Sequence, residues 1–152
     1  MCRIIKTLCF LILFGILFLP ISYEQEIKID EEVEDYPLVL EVPKFQKQFL
    51  VDPSIEGLEE NHVCSLQPIM HFHQTILLFG HNNRYVFHFI YDLQIGDQMI
   101  LRKGQKKVSY TVTEHKMISV ENKDYLEKKD SPELRLFTCT LNNQMRYVVI
   151  AK

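Results

Sequence analysis

No stretch of this 152-residue sequence interleaves lysine and arginine with aromatic side chains, and its formal charge of -3 lies on the acidic side. Nucleic acid, whose phosphates call for a basic face, therefore has no support as a partner. The one basic cluster, "RKGQKK" from Arg102 to Lys107, centres on a glycine and reads as a hairpin turn. Metal-binding patterns are missing as well. His71 and His73 sit at strand spacing, but no third ligand follows at a convincing distance, and no acidic cluster has a defensible calcium pattern. Neither a metal nor any other cofactor is expected. Cysteine is scarce: Cys2 and Cys9 fall in an N-terminal apolar region and read as apolar filler, which leaves Cys64 and Cys139 for the rest of the chain.

What the sequence does have is one long apolar run, "TLCFLILFGILFLPISY", from Thr7 to Tyr23. It is near the short end of the roughly 17 to 25 residues that a spanning helix needs. The exit reads Leu19, Pro20, Ile21, Ser22, Tyr23, with no small-x-small cleavage site, so residues 1–23 are expected to stay as an uncleaved membrane anchor. Arg3 and Lys6 precede the run and acidic residues follow it. That asymmetry puts the N-terminus in the cytoplasm and everything after Tyr23 outside, a single-pass protein of the cell membrane. Residues 24–36, "EQEIKIDEEVEDY", are acidic and poor in large apolar side chains, and read as a solvated tether.

From residue 37 on, short runs rich in Val, Ile, Leu, Phe and Tyr alternate with polar turns, which is a β pattern. Eight candidate strands emerge: "YPLVLEV", "KQFLVD", "QPIMHF", "TILLFGH", "QMILRK", "KVSYTVTEHKMIS", "ELRLFTCT" and "MRYVVIAK". So many strands in so few residues suggest a closed barrel or a sandwich, because closure removes exposed edges. "DPSIEGLEENH" suits a turn or two of helix, and "VFHFIYDLQIGD", with Phe87, Ile90 and Leu93 at spacing three before Gly96, suits a short helix or 3-10 segment. "VENKDYLEKKDSP" reads as a loop, with Leu126 tucked down.

Two thiols outside the membrane are by default a disulfide candidate. Yet Cys139 ends a strand between Thr138 and Thr140 and faces Arg146 across a short turn through Asn142 and Asn143. A partly exposed, electropositive setting of that kind favours a reactive thiolate. Such a nucleophile needs a proton handler and a stabiliser for the oxyanion. Of six histidines, His81 stands out because it follows Gly80 at the end of an apolar strand, where a rigid scaffold presents a side chain to a site. Cys64 is then a small buried apolar residue.

The ordered set of Gly80-His81-Asn82, Gly96-Asp97, Thr138-Cys139 and Arg146, with "LVLEVPKF" at the start, resembles the sortase family of membrane-anchored transpeptidases. The resemblance implies an all-β, eight-stranded closed barrel over residues 37–152, with Cys139 as nucleophile, His81 as general acid and base, and Arg146 as electrostatic partner. It implies cleavage of an LPXTG-like sorting signal through a thioacyl intermediate, and transfer of the acyl group to an amine of a cell-wall precursor or a pilin. Surface proteins bearing C-terminal sorting signals are the partners it implies. Thr138 and Thr140 are expected to support the site, the Thr140 N–H as an oxyanion donor, and Asn82, Val120, Leu126 and Leu136 to line the substrate groove. Two other readings stand beside this one. An L,D-transpeptidase is also β-rich, but looks for a Ser-His-Gly-Cys-Arg type of run, and a non-catalytic binding barrel would join Cys64 to Cys139.

Overall fold

The computed structural model describes residues 36–152 apart from Pro68 and Met70, and leaves out the Glu60 side chain. The expected membrane anchor and nearly all of the acidic tether lie outside the described residues. Among those described, no helix is long and apolar enough to cross a membrane.

Eight strands close into a barrel: β1 (Leu38–Val42), β2 (Lys47–Asp52), β3 (Val63–Ser65), β4 (Thr75–Phe79), β5 (Gln98–Lys103), β6 (Lys106–Ser119), β7 (Glu133–Cys139) and β8 (Met145–Ala151). Their order around the barrel is β1-β2-β3-β4-β7-β8-β6-β5. The β2–β3 and β4–β7 pairs are parallel, and the other six are antiparallel. Short 3-10 segments at Ile55–Glu60, His88–Asp92 and Asp124–Leu126 fill the connections, as the helical spacings predict for the first two. Ser54 caps the first of them by accepting from Glu56 N at 3.2 Å. Gly104, at φ +56, makes the β5–β6 turn expected of "RKGQKK".

The third strand departs from the sequence reading. "QPIMHF" was expected as a strand, but the chain uses "VCS", four residues earlier. Ser65 ends it locally: its hydroxyl donates to the Gln67 carbonyl at 2.6 Å. Ile69 and Phe72 are apolar because they pack against the core from the connection between β3 and β4, not because they join a ladder. His71 and His73 therefore share no strand face, and among the described residues no group of three His, Cys, Asp or Glu side chains is placed to hold a metal.

Two apolar clusters divide along the pleat. Side chains that alternate along a strand point to opposite faces. Ile76 and Leu78 of β4, Leu134 and Leu136 of β7, and Val149 and Ala151 of β8 join the barrel's interior with Leu40, Met99 and Tyr110. Their neighbours Leu77, Phe79, Phe137, Val148 and Ile150 form a second cluster with Cys64 and Tyr125, packed by Leu58, Leu66 and Leu126. The β4–β7–β8 wall is thus largely buried on both faces. All five residues of β4 are buried, which is why "TILLF" shows no polar alternation.

Candidate active site

The outer cluster is open at one end, where β4 and β7 run out side by side. There a groove of about 260 Å³ is lined by Leu58, Leu66, Phe79, Gly80, His81, Tyr125, Leu126, Phe137, Thr138, Cys139 and Arg146. Parallel pairing in the register Phe79↔Phe137 brings the end of β4 beside the end of β7, so His81 and Cys139 leave neighbouring strands at the same end of the barrel. Thr138 locks the two together. Its buried hydroxyl donates to the Gly80 carbonyl at 2.7 Å, joining the residue before His81 to the residue before Cys139. Gly80 is needed for the exit of the chain: a Cβ there would lie 2.5 Å from Val86 Cγ1 and collide with the segment that folds back over the strand. That segment is tied by the His81 carbonyl, which accepts from Asn83 N at 2.9 Å and Phe87 N at 3.1 Å.

Arg146 is the direct ladder partner of Cys139 across the β7–β8 pair. Directly opposed residues carry their side chains on one face, with Cβ atoms about 4.5–5.5 Å apart, so the guanidinium and the thiol share the groove. The hairpin between them is tightly bonded. Asn143 takes the left-handed conformation at φ 59, and the Asn142 side-chain oxygen accepts from Thr140 Oγ1 at 2.7 Å. Arg146 Nη1 lies 3.3 Å from the Met145 carbonyl and 3.4 Å from that of Asn143, which orients the fork.

One expectation fails here. The Thr140 N–H donates to the Met145 carbonyl at 3.1 Å and closes the hairpin, so it is not available as an oxyanion donor. Leu136 is also corrected: it is wholly buried in the barrel interior and cannot line a groove. Val120 lies half-buried at the β6 end, its N–H donating to the Gln144 carbonyl at 3.1 Å, and does not line the Cys139 groove. Leu126 does line it, whereas Asn82 and Thr140 line the far side of the hairpin.

On that far side a depression lined by His81, Asn82, Asn83, Cys139, Thr140, Leu141 and Asn143 continues the site. Beside it lies a polar and aromatic cluster that sequence reasoning missed. Asn82 Nδ2 donates to the Tyr91 hydroxyl at 3.3 Å, Tyr91 stacks on Tyr147 at 4.3 Å, and the Tyr147 hydroxyl meets His115 Nδ1 at 2.8 Å. Burial first, and the charge of the nearby Cys139 second, push the Tyr91 hydroxyl above its ordinary value. These residues come from three separate segments, and no local pattern marks them. Tyr125 was also missed, although it is the one aromatic in the loop from Val120 to Pro132.

The residues 40–152 match the family model for the sortase domain, well over half of the chain. The chain belongs to the sortase family. Solved structures with this barrel include the Clostridium perfringens sortase D5 transpeptidase, at 23% identity and a TM-score of 0.67 over 78% of both chains. Listeria monocytogenes sortase A aligns at 21% identity and 0.68, covering 77% of this chain and 86% of that one. Sortase A from Corynebacterium diphtheriae aligns at 18% identity and 0.66, covering 76% and 59%. Among curated proteins none matches. Sortases are transpeptidases that act on surface proteins with sorting signals and on amine acceptors, so the family makes this chain a sortase-type transpeptidase.

Among the described residues Cys64 and Cys139 are both unpaired, and they differ sharply. Cys64 is wholly buried, and burial, followed by the nearby Asp52 charge, pushes its thiol up to about 11. Cys139 is half-exposed in the groove. At neutral pH iodoacetamide should therefore label Cys139 and leave Cys64 untouched until the barrel unfolds, because the thiolate is the reacting form. Peptide mapping checks this, and labelling of Cys64 in the folded chain would contradict it. Thr138→Val should lower stability by about 1–3 kcal/mol in urea unfolding, because it leaves the buried Gly80 carbonyl without its donor. An unchanged midpoint would mean that the bond holds nothing.

Proposed function

We propose that this sortase cleaves an LPXTG-like sorting signal with Cys139 as nucleophile, His81 as general acid and base, and Arg146 as the charged donor. The observation that carries the reading is the meeting of these three side chains in one groove, with Arg146 opposite Cys139 on the ladder. The Cys139 thiolate adds to the scissile carbonyl carbon and forms the C–S bond. The electron pair moves to oxygen, where the guanidinium stabilises it. Collapse breaks the C–N bond, and the leaving amine takes its proton from the His81 imidazolium. An incoming amine then attacks the thioester, gives a proton back to His81, and releases the thiolate.

With the Thr140 N–H engaged in the hairpin, Arg146 carries the greater share of oxyanion stabilisation. The apolar groove under Tyr125 and Leu126 takes the acyl donor, and the amine, from a cell-wall precursor or a pilin, enters by the depression at Asn82 and Leu141. Residues 7–23 anchor the chain in the cell membrane with its N-terminus in the cytoplasm and the barrel outside. The test incubates the full chain in detergent with a peptide library of the form Leu-Pro-X-Thr-Gly and glycinamide, and follows products by mass. A new amide between the peptide's acyl part and glycinamide is the expected product. Unchanged peptides across the library would overturn the proposal.

A further inference from the structure

The outer strip of β7 carries Glu133, Arg135, Phe137 and Cys139 in order, so a buried ion pair lies on the same face as the reactive thiol. Glu133 is 1% exposed and Arg135 3%. Arg135 Nε donates to Glu133 Oε1, while Nη1 donates to the backbone carbonyls of Glu127 at 2.7 Å, Tyr125 at 2.9 Å and Asp124 at 3.4 Å. Withdrawing two charges from water costs several kcal/mol per ion, and an apolar pair of similar volume often serves the fold as well. What an apolar pair cannot do is grip three carbonyls of a loop.

The loop so gripped is the roof of the groove. It sets the Tyr125 ring edge-on against Phe137, with centroids 5.1 Å apart, and brings Leu126 into the lining beside Cys139. A second tie farther along holds Lys129 to Thr75, with Lys129 N donating to Thr75 Oγ1 at 2.9 Å and Thr75 N donating to the Lys129 carbonyl at 3.2 Å. The 3-10 turn Asp124–Leu126 itself is held to the barrel by Arg135.

We propose that Arg135 is a positioning residue for acyl-donor recognition: it holds Tyr125 and Leu126 as one wall of the groove without touching the peptide. The inference rests on the reading that the Cys139 groove takes the acyl donor. The test compares the full wild-type chain in detergent with Glu133→Leu/Arg135→Met, which removes both charges and leaves neither stranded, and with Arg135→Lys. Substrates are the Leu-Pro-X-Thr-Gly peptides with glycinamide as acceptor. In the double variant KM should rise at least tenfold while kcat stays within about threefold. Alkylation of Cys139 by iodoacetamide should keep its rate, and amide hydrogen exchange over residues 124–128 should speed at least tenfold with β7 and β8 unchanged. Arg135→Lys, a single-point donor, should fall between the two chains.

An unchanged KM in the double variant overturns the inference alone, since wild-type turnover would show the reading of the groove intact. Slower alkylation together with faster exchange throughout β7 also overturns it, because the pair would then serve the whole fold. A wild-type chain that turns over none of the peptides sinks the reading of the groove and the inference with it.

Discussion

Cys139→Ala should reduce peptide cleavage and amine transfer to background while the barrel unfolds within about 1 kcal/mol of wild type. The proposed chemistry depends on one sulfur atom, whereas the fold hardly uses it. Cys139 is the last residue of β7 and half-exposed, outside both apolar clusters. The barrel is held by the interior cluster and by the outer cluster, which includes Cys64. Cys64→Ala is the paired control. It should keep full acyl transfer and lose some stability, because it removes a buried sulfur from close packing. Comparable activity in Cys139→Ala and wild type, with the same thermal midpoint, would remove the thiol from the mechanism.

Arg146→Lys should lower kcat by about 10²–10³, the loss typical of removing one oxyanion donor, with little change in KM. The expected loss is this large because the hairpin spends its own N–H groups on itself. Thr140 N is bonded to the Met145 carbonyl, so that backbone donor does not substitute for the guanidinium. Arg146 also uses its planar shape, with Nη1 directed to the carbonyls of Asn143 and Met145 while the residue lines the groove. An ammonium is a point charge on a flexible stem and cannot meet both demands. Steady-state kinetics on the peptide and glycinamide pair measures the effect. A lysine variant within about threefold of wild type would show that the guanidinium does not carry the oxyanion.

The strands were legible where local pattern and tertiary need agree. "KQFLVD" and "QMILRK" fall on β2 and β5 residue for residue, each with a polar rim, and "KVSYTVTEHKMIS" lies within the long β6. β3 was misplaced because a three-residue strand, buried throughout, has no length over which to show a period. "QPIMHF" misled because rim residues that pack from a turn are as apolar as strand residues. Around the site, the sequence order of His81, Cys139 and Arg146 predicted side chains that the structure brings to one groove. Leu136 was misassigned by one step of the pleat, since its neighbours Phe137 and Arg135 face the loop and it faces the barrel's interior. The Thr140 N–H could not be judged from sequence, because whether a hairpin closes on a given donor depends on the turn. Tyr91 and Tyr147, and the Arg135 grip on the loop, arise from segments far apart in the chain, and only the fold places them together.

The most direct test of the central claim is the intact mass of the full chain after incubation with the Leu-Pro-X-Thr-Gly peptides and no added amine, followed by peptide mapping. The account predicts a mass increase equal to an acyl fragment of one peptide, located on Cys139 and absent from Cys139→Ala. No adduct on wild type with Cys64 and Cys139 found joined, or an adduct that persists in Cys139→Ala, would contradict it.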